Sequence, residues 1–478
     1  MAKAIGTLAV GATVEVPVNA PFRPFLGDKV VFKIADKNHA GYPANSVTLI
    51  TDRCIAALAF DAKEPSNSDS DRAGGGNNRY LHSNLRQWLN SSAEAGEWYT
   101  AQHGADQSPS STTYALYNPY SDKAGFLAML DVNFTAALLN TAVITVRNTV
   151  TDGGGSETVT SSKVFLASTT EAGLPNENGI AEGTRLALFT AANASRLAYP
   201  TPECASNSNY TGSDLNASLP WYWWLRTPFA TNSSSARMVG TTGGNGNGGA
   251  WSGHTAARPL CNLPSAILVS DNVNASGNYE FLLPSITGQD SDLGTKSEGV
   301  THNYVVTHPS GSAVTVVEAV NGKQLRAYTA TLGQPNALTL TGNNFAALAN
   351  AQHTITITAT DAAGNVAVRT LTFTKHITGF VIKPSAPLVA AAQPRRAKVA
   401  VTRQIPAGAS FAVEVTNNPF DPLPVWEDCT TAVTKDRAHV FENTVNAAAQ
   451  FGMSVRVTVE RGVAPSVCWV SSIEGNFE

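Results

Sequence analysis

Residues 221–265 read WYWWLRTPFATNSSSARMVGTTGGNGNGGAWSGHTAARPLCNLPS, an aromatic block followed by a polar, glycine-rich middle and a second apolar block. Four large rings stand in a row at Trp221, Tyr222, Trp223 and Trp224. Burying one such ring removes about 200 Å² from water, which is worth roughly 5 kcal/mol. The aromatic block is therefore expected to pack in a hydrophobic core.

The middle of this stretch, residues 229–257, has a composition that disfavours a core of its own. Arg237 is its one formally charged residue, most of its side chains are Asn, Ser, Thr, Gly or Ala, and residues 243–249 are rich in glycine. Such a run predicts a long loop. Because residues 258–263 resume an apolar, strand-like pattern, the loop is held at both ends, and long loops on a rigid scaffold commonly display binding residues.

Four motifs follow one another along the chain: NLRQWLN at residues 84–90, KVFLAS at 163–168, WWLRTP at 223–228 and ARPLCNLPS at 257–265. In this order they resemble a domain family of unknown function that is common in prophages of gut bacteria. That family is similar in pattern to the C-type-lectin-like fold shared by formylglycine-generating-type domains and by the variable proteins of diversity-generating retroelements. The resemblance covers roughly residues 1–283 and implies an α+β C-type-lectin-like domain there.

The last motif departs from the family's usual GVRPALNL. Residues 256–263 read AARPLCNL, so Arg258 and Pro259 are kept while their neighbours differ. Formylglycine-generating relatives use a pair of cysteines near the end of the fold. Here Cys261 has no partner in the matching segment, since Cys204 precedes the aromatic block, and the resemblance therefore implies the fold without that activity.

The amino-acid composition indicates a β-rich, multidomain chain. A length of 478 residues predicts about three domains, and a hydrophobic content of 43% is ample for packed cores. Charged residues make up only 14% of the chain, and 38 glycines contribute to a neutral, polar surface. Many virion and extracellular proteins have such a surface.

Hydrophobic periodicity predicts strands and two helices in residues 1–283. Alternating apolar residues predict strands near residues 13–18 and 29–35. Leu85, Trp88 and Leu89 lie at the i, i+3, i+4 spacing of one helical face. A second helix is expected within residues 121–140, with Ser121 and Asp122 as N-cap candidates.

The composition changes after Leu283, which suggests a domain boundary. Residues 284–299 are rich in Ser, Gly and Asp and are predicted to be a linker. Short β patterns then predict a bacterial immunoglobulin-like β-sandwich over residues 300–375 and a second, C-terminal sandwich over residues 376–478. The predicted fold is thus an α+β domain followed by two all-β sandwich domains.

Charge and cysteine spacing argue against several classes of site. A net charge of −4 and a single short basic run at Arg395, Arg396 and Lys398 disfavour nucleic-acid binding. The five cysteines show no metal-binding spacing, so no metal is expected, although Cys429 and Cys468 lie in one predicted domain and pairing between them is left open. The sequence contains no apolar run of about 18 residues, the length that would predict membrane insertion. The first residues lack a Sec-type signal.

No catalytic motif is present, so no enzyme activity and no cofactor are expected. The sequence lacks GxSxG, HExxH, P-loop and GxGxxG patterns, and its nine histidines are scattered. Asp69 and Asp71 lack the spacing of a calcium loop. Arg226 and Arg258 are expected to bind carbonyls or a carboxylate internally, with a ligand role as the alternative.

These features favour a virion protein of a tailed phage or prophage that is made in the host cytoplasm and released by lysis. In this hypothesis the first domain is a tail-associated adhesin for a host-surface carbohydrate or protein, and the sandwiches are spacers or attachment modules that contact other virion proteins. A homo-oligomer, expected to be a trimer, would compensate for weak single contacts. The rival hypotheses are a purely structural virion component and, third, a formylglycine-generating-type enzyme.

The predicted contact surface lies within residues 229–257. Asn and Ser supply hydrogen-bond donors and acceptors, Trp and His supply flat faces, and glycines allow close backbone approach, as in antibody loops. The alternative is a disordered or subunit-packing hairpin. The side chains expected to face the ligand are Asn232, Ser234, Arg237, Asn245, Asn247, Trp251 and His254.

Overall fold

The computed structural model describes residues 2–110, 113–175, 177–362 and 364–478, and in them the chain is mostly β-sheet with few, short helices. Up to residue 286 the strands are β1 (Ala2–Ala4), β2 (Thr13–Pro17), β3 (Lys29–Lys37), β4 (Ser46–Thr51), β5 (Ala56–Ala57), β6 (Thr141–Val146), β7 (Ser156–Ser162), β8 (Val164–Phe165), β9 (Trp223–Pro228), β10 (Ser235–Val239), β11 (Asn245–Gly249), β12 (Ala256–Ala257), β13 (Leu260–Pro264), β14 (Leu268–Ser270), β15 (Tyr279–Glu280) and β16 (Ser285–Ile286). The α-helices in the same part are α1 (Arg23–Leu26), α2 (Ser70–Gly75), α3 (Asn84–Leu89), α4 (Phe126–Met129), α5 (Val132–Ala137) and α6 (Pro202–Ser206). The 3-10 helices are Ile5–Thr7, Ala20–Phe22, Tyr80–His82 and Asn193–Arg196.

The rest of the chain is built from strands with two short helices. The strands are β17 (Ser291–Lys296), β18 (Val300–Thr307), β19 (Val314–Val320), β20 (Lys323–Thr329), β21 (Pro335–Leu340), β22 (Gln352–Asp361), β23 (Val366–Lys375), β24 (Gly379–Ile382), β25 (Leu388–Ala390), β26 (Arg396–Gln404), β27 (Ser410–Thr416), β28 (Glu427–Asp428), β29 (His439–Val440), β30 (Phe451–Glu460) and β31 (Trp469–Phe477). The helices are α7 (Gly342–Ala346) and α8 (Thr430–Thr434). No helix of the described residues is long and apolar enough to cross a membrane.

The chain divides into two compact units. The first unit comprises Met1–Asp290, Asn303–Ala337 and Thr356–Thr370. The second comprises Ser291–His302, Leu338–Ile355 and Leu371–Glu478. The predicted linker, residues 284–299, is not a plain coil, because β16 and β17 lie within it. The boundaries predicted at residues 283, 299 and 375 stay predictions.

Two sheets dominate the first unit. One has the order β15-β2-β3-β4-β13-β8 and the other the order β11-β10-β9-β12-β5. All six residues of β4 and all six of β9 are buried, as expected for strands covered on both faces. The chain leaves the second sheet at β12 and enters the first at β13, so the Arg258-Pro259 pair stands at the crossing.

The aromatic block lies in the core, as the sequence predicts. Trp221, Trp223 and Trp224 are almost fully buried, and each indole N–H donates to a backbone carbonyl: His254 O at 2.7 Å, Arg196 O at 3.0 Å and Leu58 O at 2.8 Å, respectively. These bonds satisfy the one polar atom of each ring, so burial carries little penalty. Tyr222 differs, because it stays partly exposed.

Arg226 is held internally, which confirms the prediction for this residue. Its guanidinium donates to both carboxylate oxygens of Glu171, at 2.6 and 2.7 Å, and to the carbonyls of Ile144, Leu166 and Glu182. Arg258 donates from Nε to Thr51 O at 3.0 Å, and its guanidinium lies 5.0 Å from the centroid of the Trp223 ring. Both arginines therefore brace the meeting point of the sheets.

The first predicted helix is confirmed and the second is wrong in its extent. Helix α3 buries Leu85, Trp88 and Leu89. The expected helix within residues 121–140 is two short helices, α4 and α5, because Leu130 between them is extended and forms an isolated bridge with Val18. The N-cap is Asp131, whose carboxylate accepts from the backbone N–H groups of α5, and not Ser121 or Asp122.

The second unit contains an all-β part of its own. Strand β30 pairs antiparallel with β24, β25 and β27, and β26 pairs antiparallel with β29 and β31. Its core consists mainly of inward-facing residues of these strands, with Val413, Val415 and Val457 fully buried, and α8 adds Val433. Cys429 and Cys468, for which pairing was left open, are free thiols, as are the other three cysteines.

Candidate functional site

The glycine-rich middle of residues 229–257 is a β-hairpin and not the long loop that its composition suggests. Strands β10 and β11 pair antiparallel from Ser235 opposite Gly249 to Val239 opposite Asn245. The turn is closed by Gly240 N–H donating to Gly244 O at 2.8 Å and by Gly243 N–H donating to Gly240 O at 2.9 Å. Strand β9, with its buried aromatic residues, is the neighbour that makes the hairpin part of a sheet.

Tertiary contacts hold the turn of this hairpin in place. The buried Arg196 donates from Nε to Gly243 O at 2.7 Å. Gly243 has a φ of +77°, and a Cβ atom there would come within 2.1 Å of Asn193 O. Only glycine fits such a position without displacing its neighbour. Glycine in this turn therefore allows close packing against neighbouring residues, although the glycine-rich composition predicts a loop.

Two of the seven predicted contact residues are exposed on the hairpin. Asn245 and Asn247 project from β11, the edge strand of its sheet. Asn245 Nδ2 donates to Pro175 O at 3.1 Å, which leaves its side-chain oxygen for a ligand. These two positions fit the predicted role of a contact surface, which stays a prediction.

Three other predicted residues, Asn232, Ser234 and Arg237, have partners within the chain. Arg237 binds Glu177 at 2.6 Å, and its guanidinium lies 4.3 Å from the centroid of the Phe229 ring. Asn232 Oδ1 accepts from the backbone N–H of Ser234 at 2.8 Å and from its hydroxyl at 3.2 Å. Hydrogen bonding within the chain stabilises these half-buried polar groups, because a half-buried polar atom without a partner costs free energy.

Trp251 and His254 follow the hairpin and face two different surroundings. The Trp251 ring is half-buried and has Lys63 Nζ 3.8 Å from its centroid, a cation–π contact. His254 belongs to a group of half-buried rings that we term the ring cluster: Tyr117, Tyr210, Tyr222 and His254. The structure therefore does not gather the seven predicted residues into one site.

The rings of the ring cluster pack against one another. Tyr210 lies over His254 with ring centroids 5.6 Å apart and an interplanar angle of 27°. Tyr117 meets Tyr210 edge to face, at 5.2 Å and 87°. The buried Trp221 contacts the rings of both Tyr210 and Tyr222, at 5.6 and 5.3 Å. A core ring thus supports the partly exposed rings.

Loops from three parts of the chain meet at the ring cluster. Asn118 joins them, because its Nδ2 donates to Gly253 O at 2.6 Å and to Ser208 Oγ at 2.9 Å, while its Oδ1 accepts from Asn209 N–H at 2.7 Å. Gly253 is required at this point, since a Cβ atom would come within 2.3 Å of Leu116 O. Side-chain bonding of this kind makes the loops part of a preformed surface.

A cavity with both polar and apolar walls is lined in part by the loops that carry the ring cluster. Its volume is about 480 Å³, and Asn118 and Asn209, which line it, are sequence neighbours of Tyr117 and Tyr210. Asp122, Lys123 and Glu203 supply charged groups to its wall. This volume falls within the roughly 300–1,000 Å³ of small-molecule sites.

Burial favours the neutral form of His254. Burial lowers the pKa of the His254 imidazole, and the nearby Asp214 carboxylate opposes this effect. Its Nδ1 atom is buried and meets no hydrogen-bond partner in the described part of the chain. An unmet acceptor is tolerated better than an unmet N–H, so the proton is expected on Nε2.

Sequence reasoning missed the three tyrosines of the ring cluster. A signal was available for Tyr117, because the segment YALYNPY at residues 114–120 combines three tyrosines with Asn and Pro, a composition typical of binding loops. Tyr210 stands alone in SNYTG, and Tyr222 belongs to the aromatic block, which is expected in the core. Their meeting depends on long-range folding, which no local pattern records.

One group of side chains in the described residues has a metal-like arrangement: Glu64, His103 and Asp106 place ligand atoms within 4.8 Å of one another. His103 Nε2 lies 2.8 Å from Glu64 Oε1, and its Nδ1 accepts from Ala105 N–H at 3.4 Å. This bonding places the proton on Nε2, where a metal would have to bind. The group therefore fits a buried hydrogen-bond network better than a metal centre.

A Ser-His-Asp chain occurs far from the hairpin in sequence. Ser310 Oγ lies 2.9 Å from His308 Nδ1, and His308 Nε2 lies 3.2 Å from Asp361 Oδ2. The backbone N–H of Ser310 also donates to His308 Nδ1, at 3.2 Å, so it is not free to stabilise an oxyanion. These side chains therefore stabilise a turn, in which the His308 ring is hydrogen-bonded to Ser310, two residues further along the chain.

Comparisons with known proteins identify one family model, described as "Domain of unknown function (DUF6273)", which matches residues 45–265, less than half of the chain. No curated protein matches the sequence.

Likenesses to solved structures are distant. Fibronectin(III)-like modules of CbhA from Clostridium thermocellum match with 10% identity and a TM-score of 0.15, covering 20% of this chain and 98% of theirs. Carbohydrate-binding modules of the β-sandwich superfamily match with 11% identity and a TM-score of 0.14, covering 41% and 98%. A Ca²⁺-stabilised ice-binding adhesin of an Antarctic bacterium matches with 13% identity and a TM-score of 0.14, covering 72% and 90%. Such TM-scores do not identify a fold.

Proposed function

We propose that the protein is an attachment protein of a tailed phage or prophage virion, whose first domain contacts a molecule of the host-cell surface. The observation that carries this proposal is the ring cluster on loops that also line a cavity, because partly exposed rings with amides nearby are typical of recognition surfaces. Asn245 and Asn247 on the hairpin edge extend the polar contact surface. The protein acts by binding and catalyses no reaction.

The C-type-lectin-like assignment of residues 1–283 belongs to this proposal. The four motifs that carry the resemblance lie on α3, β8, β9 and β13, which meet in one core. The later strands are proposed to form immunoglobulin-like sandwiches that act as spacers. Neighbouring virion proteins and further copies of the chain are the proposed partners.

Binding to cells tests the attachment role directly. The full chain carries a fluorescent label and is mixed with a panel of bacterial strains, and saturable binding to a subset of strains is expected. Tyr210→Ala should weaken this binding by at least about tenfold, because it removes the ring that touches Tyr117, His254 and Trp221. Tyr199→Ala, at an exposed ring outside the cluster, is the matched control.

Two results would contradict the proposal: binding to none of the strains, or equal binding by wild type and Tyr210→Ala with an unchanged melting temperature. Replacing Asn245 and Asn247 together by serine tests the hairpin edge separately. A changed strain range with unchanged stability would support its role, and an unchanged range would remove the edge from the contact surface.

A purely structural virion component is the second candidate, and the C-terminal part favours it. Leu423 and Val463 there are 87% and 90% exposed. Such side chains suit contact with a neighbouring virion protein. A chain that assembles into particles but binds no cell would support this role over attachment.

A further inference from the structure

Tyr117 adopts a backbone conformation that a tyrosine rarely takes. Its φ is +71°, in the left-handed region where residues with a Cβ atom are strained. Hydrogen bonds on either side hold it there: Leu116 N–H donates to Trp251 O at 2.8 Å, and Asn209 Nδ2 donates to Tyr117 O at 3.0 Å. Glycine would meet the same backbone requirement without strain, whereas tyrosine adds a ring at the cost of that strain.

The rings around Tyr117 form a corner and not a flat face. Tyr117 stands at 87° to Tyr210 and at 82° to His254, while Tyr210 and His254 lie nearly parallel. A saturated sugar ring has C–H groups on its faces, which pack on aromatic rings, and hydroxyls at its edge. A corner of rings beside polar groups can engage both.

The cavity supplies hydrogen-bonding groups for hydroxyls. The carboxylates of Asp122 and Glu203 accept, and the Lys123 ammonium, which lies 3.2 Å from Asp122 Oδ2, donates. The Asn209 side-chain oxygen, whose amide nitrogen is bound to Tyr117 O, also accepts. A ligand rich in hydroxyls can bond to such a mixture of donors and acceptors.

Resting on the proposed function, we propose that the ring cluster and its cavity form a carbohydrate site that binds one pyranose unit of a cell-surface glycan. The Tyr117 and Tyr210 rings contact the faces of the sugar, and the cavity groups bind its hydroxyls. A single sugar in a shallow site binds at millimolar strength, and repetition of the chain in the virion raises the avidity.

Saturation-transfer NMR of the full chain with free sugars tests this site. The probes are glucose, galactose, mannose, rhamnose, N-acetylglucosamine and N-acetylgalactosamine, each at millimolar concentration. At least one is expected to receive saturation from the wild-type chain. Transfer to none of the six sugars would overturn the proposal.

Two substitutions at Tyr117 and Tyr210 separate binding from stability. Tyr117→Gly removes the ring and relieves the strained backbone, so it is expected to keep the melting temperature while weakening sugar binding at least about tenfold. Tyr210→Phe keeps the ring and should retain binding within about threefold. Sugar binding by Tyr117→Gly that equals wild type would also overturn the proposal. Tyr199→Ala is again the control.

The outcomes also distinguish this inference from the proposed function. Cells that bind the wild type but not Tyr117→Gly, with no sugar bound, would leave attachment standing and overturn the carbohydrate site. Sugar binding that Tyr117→Gly abolishes, with no cell bound, would support the carbohydrate site and contradict attachment.

Discussion

At the scale of single residues, the first unit depends on buried polar groups that are met by partners distant in sequence. Arg226 and Glu171 form a bidentate pair, and Glu182 accepts from the Thr227 hydroxyl at 2.5 Å and from Val146 N–H at 3.0 Å. Buried groups of this kind fix one arrangement of the chain, since any other arrangement leaves them unpaired.

Trp224→Ala tests whether the aromatic block carries the core. The ring is fully buried, packs on Phe60 with centroids 5.6 Å apart, and lies against Gly248. We expect a loss of about 3–5 kcal/mol in the free energy of unfolding, the usual cost of emptying a large aromatic site. Urea denaturation measures it. Trp469→Ala, at a ring that is 41% exposed, should change little, and equal effects of the two would contradict the core role.

Glu182 predicts a pH dependence of stability. Burial raises its pKa above 4.5, although Arg226, the Thr227 hydroxyl and the Val146 N–H oppose the shift. A raised folded-state pKa means that the folded chain binds the proton more tightly, so the stabilisation is present below the unfolded-state pKa and is lost as the pH rises through the folded-state value.

Glu182→Gln removes this titration. The difference in the free energy of unfolding, variant minus wild type, should therefore be larger at about pH 8 than at about pH 5. Urea denaturation at both pH values checks this. Glu94→Gln, at an exposed position, is the control and should leave the pH dependence as in wild type. A constant difference between Glu182→Gln and wild type would refute the assignment.

At the scale of elements, the sequence predicted the parts with strong local patterns. The face of α3 and the strands β2 and β3 follow from apolar spacing, and the burial of the aromatic block follows from ring size. The sequence favours a long loop over the hairpin β10–β11, which it offers only as an alternative, because the residues of this segment are small and polar. Its stability comes from neighbours such as Arg196 and Trp224, which local composition does not reveal.

The same limit applies to the candidate site. His254 was predicted from residue type, whereas Tyr117 and Tyr210 reach it through the bonds of Asn118, which link three loops. Arg237 was predicted to face a ligand because it is the one charge in its segment, but Glu177 binds it. Contacts between segments distant in sequence determine whether such a side chain faces a ligand or an internal partner.

Gly243→Ala tests the hairpin as an element. A Cβ atom there meets Asn193 O, and φ is positive, so we expect a loss of about 1–3 kcal/mol and faster amide hydrogen exchange over β10 and β11. Gly240→Ala in the same turn is the matched control, because its nearest contact would be an ordinary 3.7 Å. If both variants exchange alike, the turn is not fixed by Gly243.

At the scale of the whole molecule, attachment by weak single contacts requires repetition. A site that binds at millimolar to micromolar strength gains avidity of about 10²- to 10⁴-fold when copies are linked. We therefore predict a homo-oligomer, a trimer, in the virion. Light scattering of the full chain, alone and with its virion partners, measures this, and a monomer under every condition would contradict it.

The central claim is that the ring cluster of the first domain contacts the cell surface. Amide hydrogen exchange of the full chain, with and without envelope fragments from a strain that binds it, locates the contact most directly. We predict slowed exchange in residues 114–121, 207–214 and 251–255, which carry Tyr117, Tyr210 and His254 and part of the cavity wall. Protection confined to residues 300–478 would contradict it.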